Sequence, residues 1–354
     1  MKVRARTVVL CVLGLVLLLG IAVITAVGWQ VVLGPRARAV TSRTFERSDA
    51  RMARGKYLVE GGAHCFHCHS EHDLTVPEYP IVQAKMGAGW ELPIPELGRI
   101  TSPNITPDRD TGIGTWTDDE IARAIQEGVD KNGKALFPVM PYEAFSRLDD
   151  EDLASIIVYL RSIPAVRNVV PERKLIFPLN FIVNTIPVPL AAHAAPAART
   201  TPEARGEYLV RAVAGCDDCH TPKDDKGQPL PGLAYGGGQL FHDPGPNGKE
   251  VFSANITRDP SGIEYYDEAL FIQTIRTGQT KGRTLNHIMP FEFYKNITDD
   301  DLKDIWAWVR SQPPVKHRVS NVDPPTKCPV CNQTHGLGEL NVRVEKSGSR
   351  EVGK

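Results

Sequence analysis

The sequence lacks any strong imbalance of charge. Its 41 Lys and Arg residues against 42 Asp and Glu leave a formal net charge of −1. No long basic or acidic run disturbs that balance, which excludes nucleic acid as a partner recognised by charge. Setting aside Lys2, Arg4 and Arg6 near the start leaves −4 for the remainder, mildly acidic. The chain also lacks a nucleotide-binding glycine loop and any nucleophile–base triad pattern, so it is not read as an enzyme that transforms an organic substrate by itself. Sulfur is scarce: there are seven cysteines, and five methionines at 1, 52, 86, 140 and 289. Scarcity makes the position of each one informative. At 354 residues, with 42% hydrophobic and 23% charged, the chain has room for about two ordinary domains with their own cores.

Four of the seven cysteines fall in one repeated pattern, Cys65-Phe66-His67-Cys68-His69 and Cys216-Asp217-Asp218-Cys219-His220. Cys-x-x-Cys-His is the attachment sequence for c-type haem: two thiols add across the vinyl groups and the adjacent imidazole goes to the iron. Cysteines three apart lie on one side of a helical turn, so both sulfurs reach one porphyrin edge with the histidine beneath the metal. The expected cofactors are therefore two covalently bound haem c groups.

The motifs sit inside a longer repeat. Ala53-Arg54-Gly55-Lys56-Tyr57-Leu58-Val59 returns as Ala204-Arg205-Gly206-Glu207-Tyr208-Leu209-Val210, and Asn104-Ile105-Thr106 as Asn255-Ile256-Thr257. The first Cys and the Asn are each displaced by 151 residues and the Met-Pro pair, Met140 to Met289, by 149. Each copy reads as a small helical domain. In the first, a helix over about 49–63 delivers the chain to the haem motif. A Pro- and Gly-rich stretch over about 73–114 is too irregular for a sheet or a long helix. A capping-box helix starts at Thr117-Asp118-Asp119-Glu120 and stops near Gly128, and a last helix opens at Asp149-Asp150 and ends before Pro164. The second copy predicts helices near 203–213, 267–277 and 299–311.

From Thr7 to Leu33 the chain runs apolar without a charge, longer than the roughly 20 residues that span a bilayer. With Lys2, Arg4 and Arg6 before it, the run reads as a single-pass anchor in the cytoplasmic membrane with the body on the periplasmic side. The competing reading is a cleaved secretory signal ending at the small-x-small triplet Ala37-Arg38-Ala39. Length favours the anchor, and Cys11 within it is a small apolar residue. The resulting division is an anchor over 1–34, domains over 49–163 and 201–315, a Pro/Ala-rich connector over 164–200 read as a packed strap, and a polar tail over 316–354.

The sixth iron ligand decides what such haems can do. Only Met140 and Met289 occupy matching places, each followed by Pro in a loop before the last helix of its copy. They are the expected partners of His69 and His220; Met86 has no counterpart. His287, two residues before Met289, is a rival ligand in the second copy. His64, His67 and His72 read as surface residues. His/Met ligation raises the reduction potential and leaves no open position for oxygen or peroxide, so the expected activity is electron transfer, without catalysis. A diheme enzyme of peroxidase type is the alternative, and it requires one iron with a displaceable ligand.

The chain resembles the diheme class I cytochrome c family, in particular the cytochrome subunits of bacterial membrane-bound alcohol, aldehyde and gluconate dehydrogenases. The likeness is carried by the haem motifs, by Asn104-Ile105-Thr106-Pro107-Asp108 with Thr111-Gly112-Ile113-Gly114-Thr115-Trp116, by Phe137-Pro138-Val139-Met140-Pro141-Tyr142, and by Phe177-Pro178-Leu179-Asn180 in the connector. It implies a mainly α fold of two tandem class I cytochrome c domains, here behind an N-terminal transmembrane helix. It further implies an electron route in a periplasmic respiratory chain, from a dehydrogenase towards quinone or a terminal oxidase. Those subunits carry three haem motifs where this chain has two. By the same likeness Trp116, Asn104 and Asn255 would lie near the haem propionates; the competing readings are a core aromatic and turn asparagines.

Cys328-Pro329-Val330-Cys331 is followed by Asn332 and so holds no haem. With His335 it offers three zinc ligands and no evident fourth. A local disulfide is the favoured reading, with zinc or a redox pair as alternatives.

Overall fold

The structure, a computed structural model, describes residues 2–76, 78–191, 198–224, 227–243, 245 and 248–342, without the side chains of 2–6, 8, 23, 26, 27 and 32. The basic side chains of Lys2, Arg4 and Arg6, part of the expected connector (192–197) and the end of the expected tail (343–354) lie outside it. The chain divides into two compact units. One comprises Met1–Lys56, Cys68–Glu71 and Gln83–Pro196; the other comprises Tyr57–His67, His72–Val82 and Ala197–Lys354.

In the first unit the helix Asp49–Tyr57 crosses the helix Asp150–Leu160. The crossing is close because residue 55 has no side chain: a Cβ there would lie 2.0 Å from the Ser155 carbonyl oxygen. Beside it Arg54 forks onto Asp152 at 2.7 and 2.8 Å. The helix Asp118–Glu127 begins at the expected capping box: Thr117 Oγ1 accepts from the Glu120 amide at 3.2 Å, and Glu120 Oε2 accepts from the Thr117 amide at 2.7 Å. Its apolar face, Ile121, Ala122 and Ile125, is buried together with Leu148, Leu153, Ile156 and Ile157.

The stretch expected to be irregular forms a small antiparallel sheet. Trp90–Leu92 pairs with Gly98–Ser102 in the register Trp90↔Ser102, and Gly98↔Leu175 adds Lys174–Leu175 from the connector. A tight turn at Pro95–Leu97 folds two segments of three and five residues back on each other, and Ile100 is fully buried. Two connector residues bond this unit: Val166 O accepts from Asn104, and Asn168 donates to the carbonyls of Ala88 and Gly89, both at 3.0 Å.

In the second unit the helices Pro202–Tyr208 and Asp299–Ser311 cross in the same way. A Cβ at Gly206 would lie 1.9 Å from the Asp304 carbonyl oxygen. Arg205 forks onto Asp304 at 2.6 and 2.8 Å. By the offset of 149 the counterpart of Asp152 is Asp301, one turn earlier, and that carboxylate instead accepts from the hydroxyl of Tyr57, which belongs to this same unit. Leu240–His242 pairs with Glu250–Phe252. Within the tail expected to be polar, Ser320–Lys327 forms a hairpin with Thr334–Gly336, in the register Thr326↔His335.

The expected N-terminal transmembrane helix, and with it the single-pass location in the cytoplasmic membrane, does not hold. Among the described residues no helix is long and apolar enough to cross a membrane. The first helix, Lys2–Val27, stops at Gly28, whose φ is 92°, and a separate short helix Trp29–Leu33 follows before a further break at Gly34. The apolar run is thus divided.

Beyond that run the chain is bound into the first unit. Arg38 reaches the Asp118–Glu127 helix, donating to both oxygens of Asp119 at 2.7 and 2.8 Å and to Glu127 at 2.6 Å. The amides of Thr41 and Phe45 bond Asp119 and Asp118.

Candidate haem centres

Both Cys-x-x-Cys-His sequences form a single helical turn, Cys65–His69 and Cys216–His220. The π-helical turns before them, Leu58–Gly62 and Leu209–Val213, are buried and apolar at Leu58, Val59, Leu209, Val210 and Val213. His69 and His220 are themselves buried. Each uses Nδ1 to bond a backbone carbonyl 34 residues on: Pro103 O at 2.8 Å for His69 and Ala254 O at 2.7 Å for His220. That bond fixes the tautomer and turns Nε2 away from the backbone as the free ligand atom. Burial holds both imidazoles below their ordinary pKa, which favours the neutral form that can ligate. It also pushes the Cys68 thiol up to about 11 and raises Cys216. The donor set fits haem c: two thiols and one oriented imidazole on each turn.

The two methionines sit in loops of one design. Met140 N donates to Phe137 O at 3.1 Å and Met289 N to Asn286 O at 3.0 Å. The prolines after them, with φ −81° and −79°, cap one-turn helices, Tyr142–Phe145 and Phe291–Tyr294. Each loop is seated by the C-cap glycine of the preceding helix. Gly128 has φ 69° and Gly278 φ 68°; a Cβ would lie 2.6 Å from the Tyr142 ring in the first unit and 2.8 Å from the Phe291 ring in the second. The same glycines accept through their carbonyls from Leu136 and Leu285, both at 2.7 Å. Both methionines are half-buried.

Asn104 and Asn255 are buried, and their amides are committed within the protein. Each Oδ1 accepts from the backbone and hydroxyl of the threonine two residues on. Each Nδ2 donates to the segment after the last helix, Val166 O at 2.8 Å and Val315 O at 2.7 Å. They act as ties for that segment. Trp116 is half-buried beneath Lys131 at 5.7 Å.

The histidines read as surface residues are half-buried. His64 is half-buried, bonds Gly62 O at 2.9 Å and meets the Tyr294 ring edge-on at 5.3 Å. His72 bonds Tyr79 O and His67 O at 2.6 and 2.8 Å, and His67 packs on Phe293 at 5.5 Å. Burial, aided by the neighbouring imidazoles of His64, His72 and His287, lowers His67 to about 3. His287, the rival ligand, packs between Tyr79 and Phe291 at 5.9 and 5.1 Å. Cys328 and Cys331 are free thiols, both buried.

Oriented histidines on Cys-x-x-Cys-His turns are the donor set of a c-type cytochrome. Residues 52–164 match the cytochrome c family model, and this domain holds haem c covalently. The chain is similar to the cytochrome c subunit of gluconate 2-dehydrogenase from Pantoea cypripedii, 33% identical over 186 residues, half of this chain and 40% of that subunit. It is similar to the cytochrome c subunit of the quinone alcohol dehydrogenase from Gluconacetobacter polyoxogenes, 29% identical over 354 residues, covering 89% of this chain and 72% of that subunit. A diheme cytochrome c-type protein of Cereibacter sphaeroides is 27% identical over 179 residues, 49% of this chain and 58% of that protein. The resemblance to dehydrogenase cytochrome c subunits is thereby shown, and a cytochrome c subunit is an electron carrier, not a catalyst.

Proposed function

We propose that this chain is a diheme c-type cytochrome that accepts electrons from a dehydrogenase and passes them towards quinone or a terminal oxidase. The observation that carries the reading is a shared geometry. Two histidines, each oriented by a bond from Nδ1 to a backbone carbonyl, are each accompanied in the same unit by a Met-Pro loop seated on a helix C-cap glycine. Haem c, held by Cys65, Cys68 and His69 and by Cys216, Cys219 and His220, supplies the one-electron iron couple. The protein's part is to supply axial ligands that stay bound in both oxidation states. The carbonyl of Pro103 or Ala254 raises the basicity of its histidine and keeps the ring from rotating. Met140 and Met289 offer soft thioethers that favour the ferrous state. Ligands already in place keep reorganisation small, which suits transfer over catalysis.

Absorption and paramagnetic resonance during a redox titration test this. Two low-spin, Met-ligated haems are expected. Met140→Ala lowers one potential by on the order of 0.1 V, within the span of about 0.8 V that axial ligands control, and opens that iron to small ligands. High-spin ferric haem in the intact protein would refute the pure carrier and favour a peroxidase. Purification from native cells should bring a dehydrogenase along; a cytochrome that comes alone or with an oxidase is a shuttle rather than a subunit.

A further inference from the structure

We propose that His317, Cys328, Cys331 and His335 bind one structural zinc ion that clasps the C-terminal segment onto the second unit. Their ligand atoms all lie within 4.8 Å of one another, and all four residues are buried. Cys328 Sγ is 3.5 Å from His317 Nε2, and Cys331 Sγ is 3.3 Å from His335 Nε2. A tetrahedron with Zn–S of about 2.3 Å and Zn–N of about 2.0–2.1 Å has S···N edges of about 3.6 Å. The observed separations are therefore those of ligands around one ion.

The surroundings select the ligand atoms. His317 Nδ1 bonds Gly236 O at 2.9 Å and His335 Nδ1 bonds Gly336 O at 3.0 Å, so both rings turn Nε2 to the sulfurs. Asn341 Nδ2 donates to Cys328 Sγ at 3.4 Å, as an outer partner of a thiolate does. Leu233 and Val315 share one buried cluster with the two cysteines, so the site is dry. Two thiolates neutralise a divalent ion, an S2N2 set suits zinc, and four protein ligands leave no open position, which makes the site structural.

Comparison within the molecule shows what His317 adds. In the first unit the strap position after the last helix is Asn168, whose amide nitrogen donates to Ala88 O, while its own backbone amide bonds Thr111 Oγ1 at 3.1 Å. In the second unit the backbone amide of His317 bonds Ser261 Oγ at 2.9 Å, and the ring performs the donation to Gly236 O. An asparagine meets that structural need; only a histidine leaves a second nitrogen for a metal. The clasp also reaches the haem ligand. His317 O accepts from Asn255 Nδ2 at 3.1 Å, and the neighbouring Ala254 O orients His220.

The test is elemental analysis and native mass spectrometry of untagged, haem-loaded protein purified without chelator. About one zinc per chain is expected alongside the haem iron, with a mass about 63 Da above the metal-free chain because two thiol protons leave on binding. His317→Asn should keep the bond to Gly236 and the haem absorbance while zinc falls at least about tenfold; Cys331→Ser should lose zinc likewise. A wild-type chain without zinc and about 2 Da lighter, a Cys328–Cys331 disulfide, would overturn the proposal. So would zinc retained in both variants. If neither variant folds, the wild-type zinc content and mass decide.

Discussion

Arg38 gives the sharpest test of how the first unit is built. Its guanidinium is 17% exposed, while Asp119 and Glu127 are 0% and 1% exposed. Arg38→Ala therefore leaves two buried carboxylates without their cation, a defect that costs about 3–5 kcal/mol. By contrast the Arg167–Asp110 pair is 70% and 63% exposed, and Arg167→Ala should cost about 0–1 kcal/mol. For a unit of this size the Arg38 loss corresponds to a fall in Tm of about 6–20 °C. Urea unfolding of the haem-loaded protein, followed by far-ultraviolet circular dichroism, measures it through the midpoint at unchanged slope.

The pH dependence has a definite sign. Burial alone would raise Asp119, but the Arg38 fork and the Thr41 amide outweigh it and lower the carboxyl to about 2. The wild-type contribution is thus complete above the unfolded value of about 4 and is lost as pH falls from there towards 2. In Arg38→Ala the unpaired Asp119 gains by protonation, so the deficit should shrink between pH 7 and 4. Arg38→Lys keeps the charge without the fork and should fall between the two. A loss below about 1 kcal/mol at pH 7, or one that does not change with pH, would refute the reasoning.

Two further substitutions address the haem loops and the helix that carries them. Gly128→Ala forces a Cβ into the Tyr142 ring at a positive φ; it should destabilise the unit by about 1–2 kcal/mol and weaken the absorption of a Met140-ligated haem, with Gly278→Ala doing the same in the second unit. Thr117→Ala removes the cap from the Glu120 amide and should cost about 1 kcal/mol in the same unfolding assay, with the haem spectrum unchanged.

The attachment turns, the helix starts and the paired Met-Pro loops were legible because each rests on residues close in the chain. Thr117 and Glu120 cap one helix, and Cys216 to His220 form one turn; such spacings survive in any tertiary context. The short sheet was not legible. Its strands are two to five residues long, and the third comes from Lys174 and Leu175 in the connector, so no alternating pattern of useful length exists. The apolar run Thr7–Leu33 was counted as one span, whereas the backbone divides it at Gly28.

The sequence by itself determined the chemistry of the haem turns, since the distance between two thiols and an imidazole on one turn is set by covalent geometry. Only the tertiary structure decided what pairs across the chain. Arg38 meets Asp119 from 81 residues away, and His64, His67 and His72 are packed among rings in place of standing in solvent. His317, 11 residues before Cys328, completes a four-ligand set that showed only three members in sequence. No spacing rule brings a histidine after the last helix to a cysteine pair at a hairpin tip; packing of the strap against Asn255 and Gly236 does.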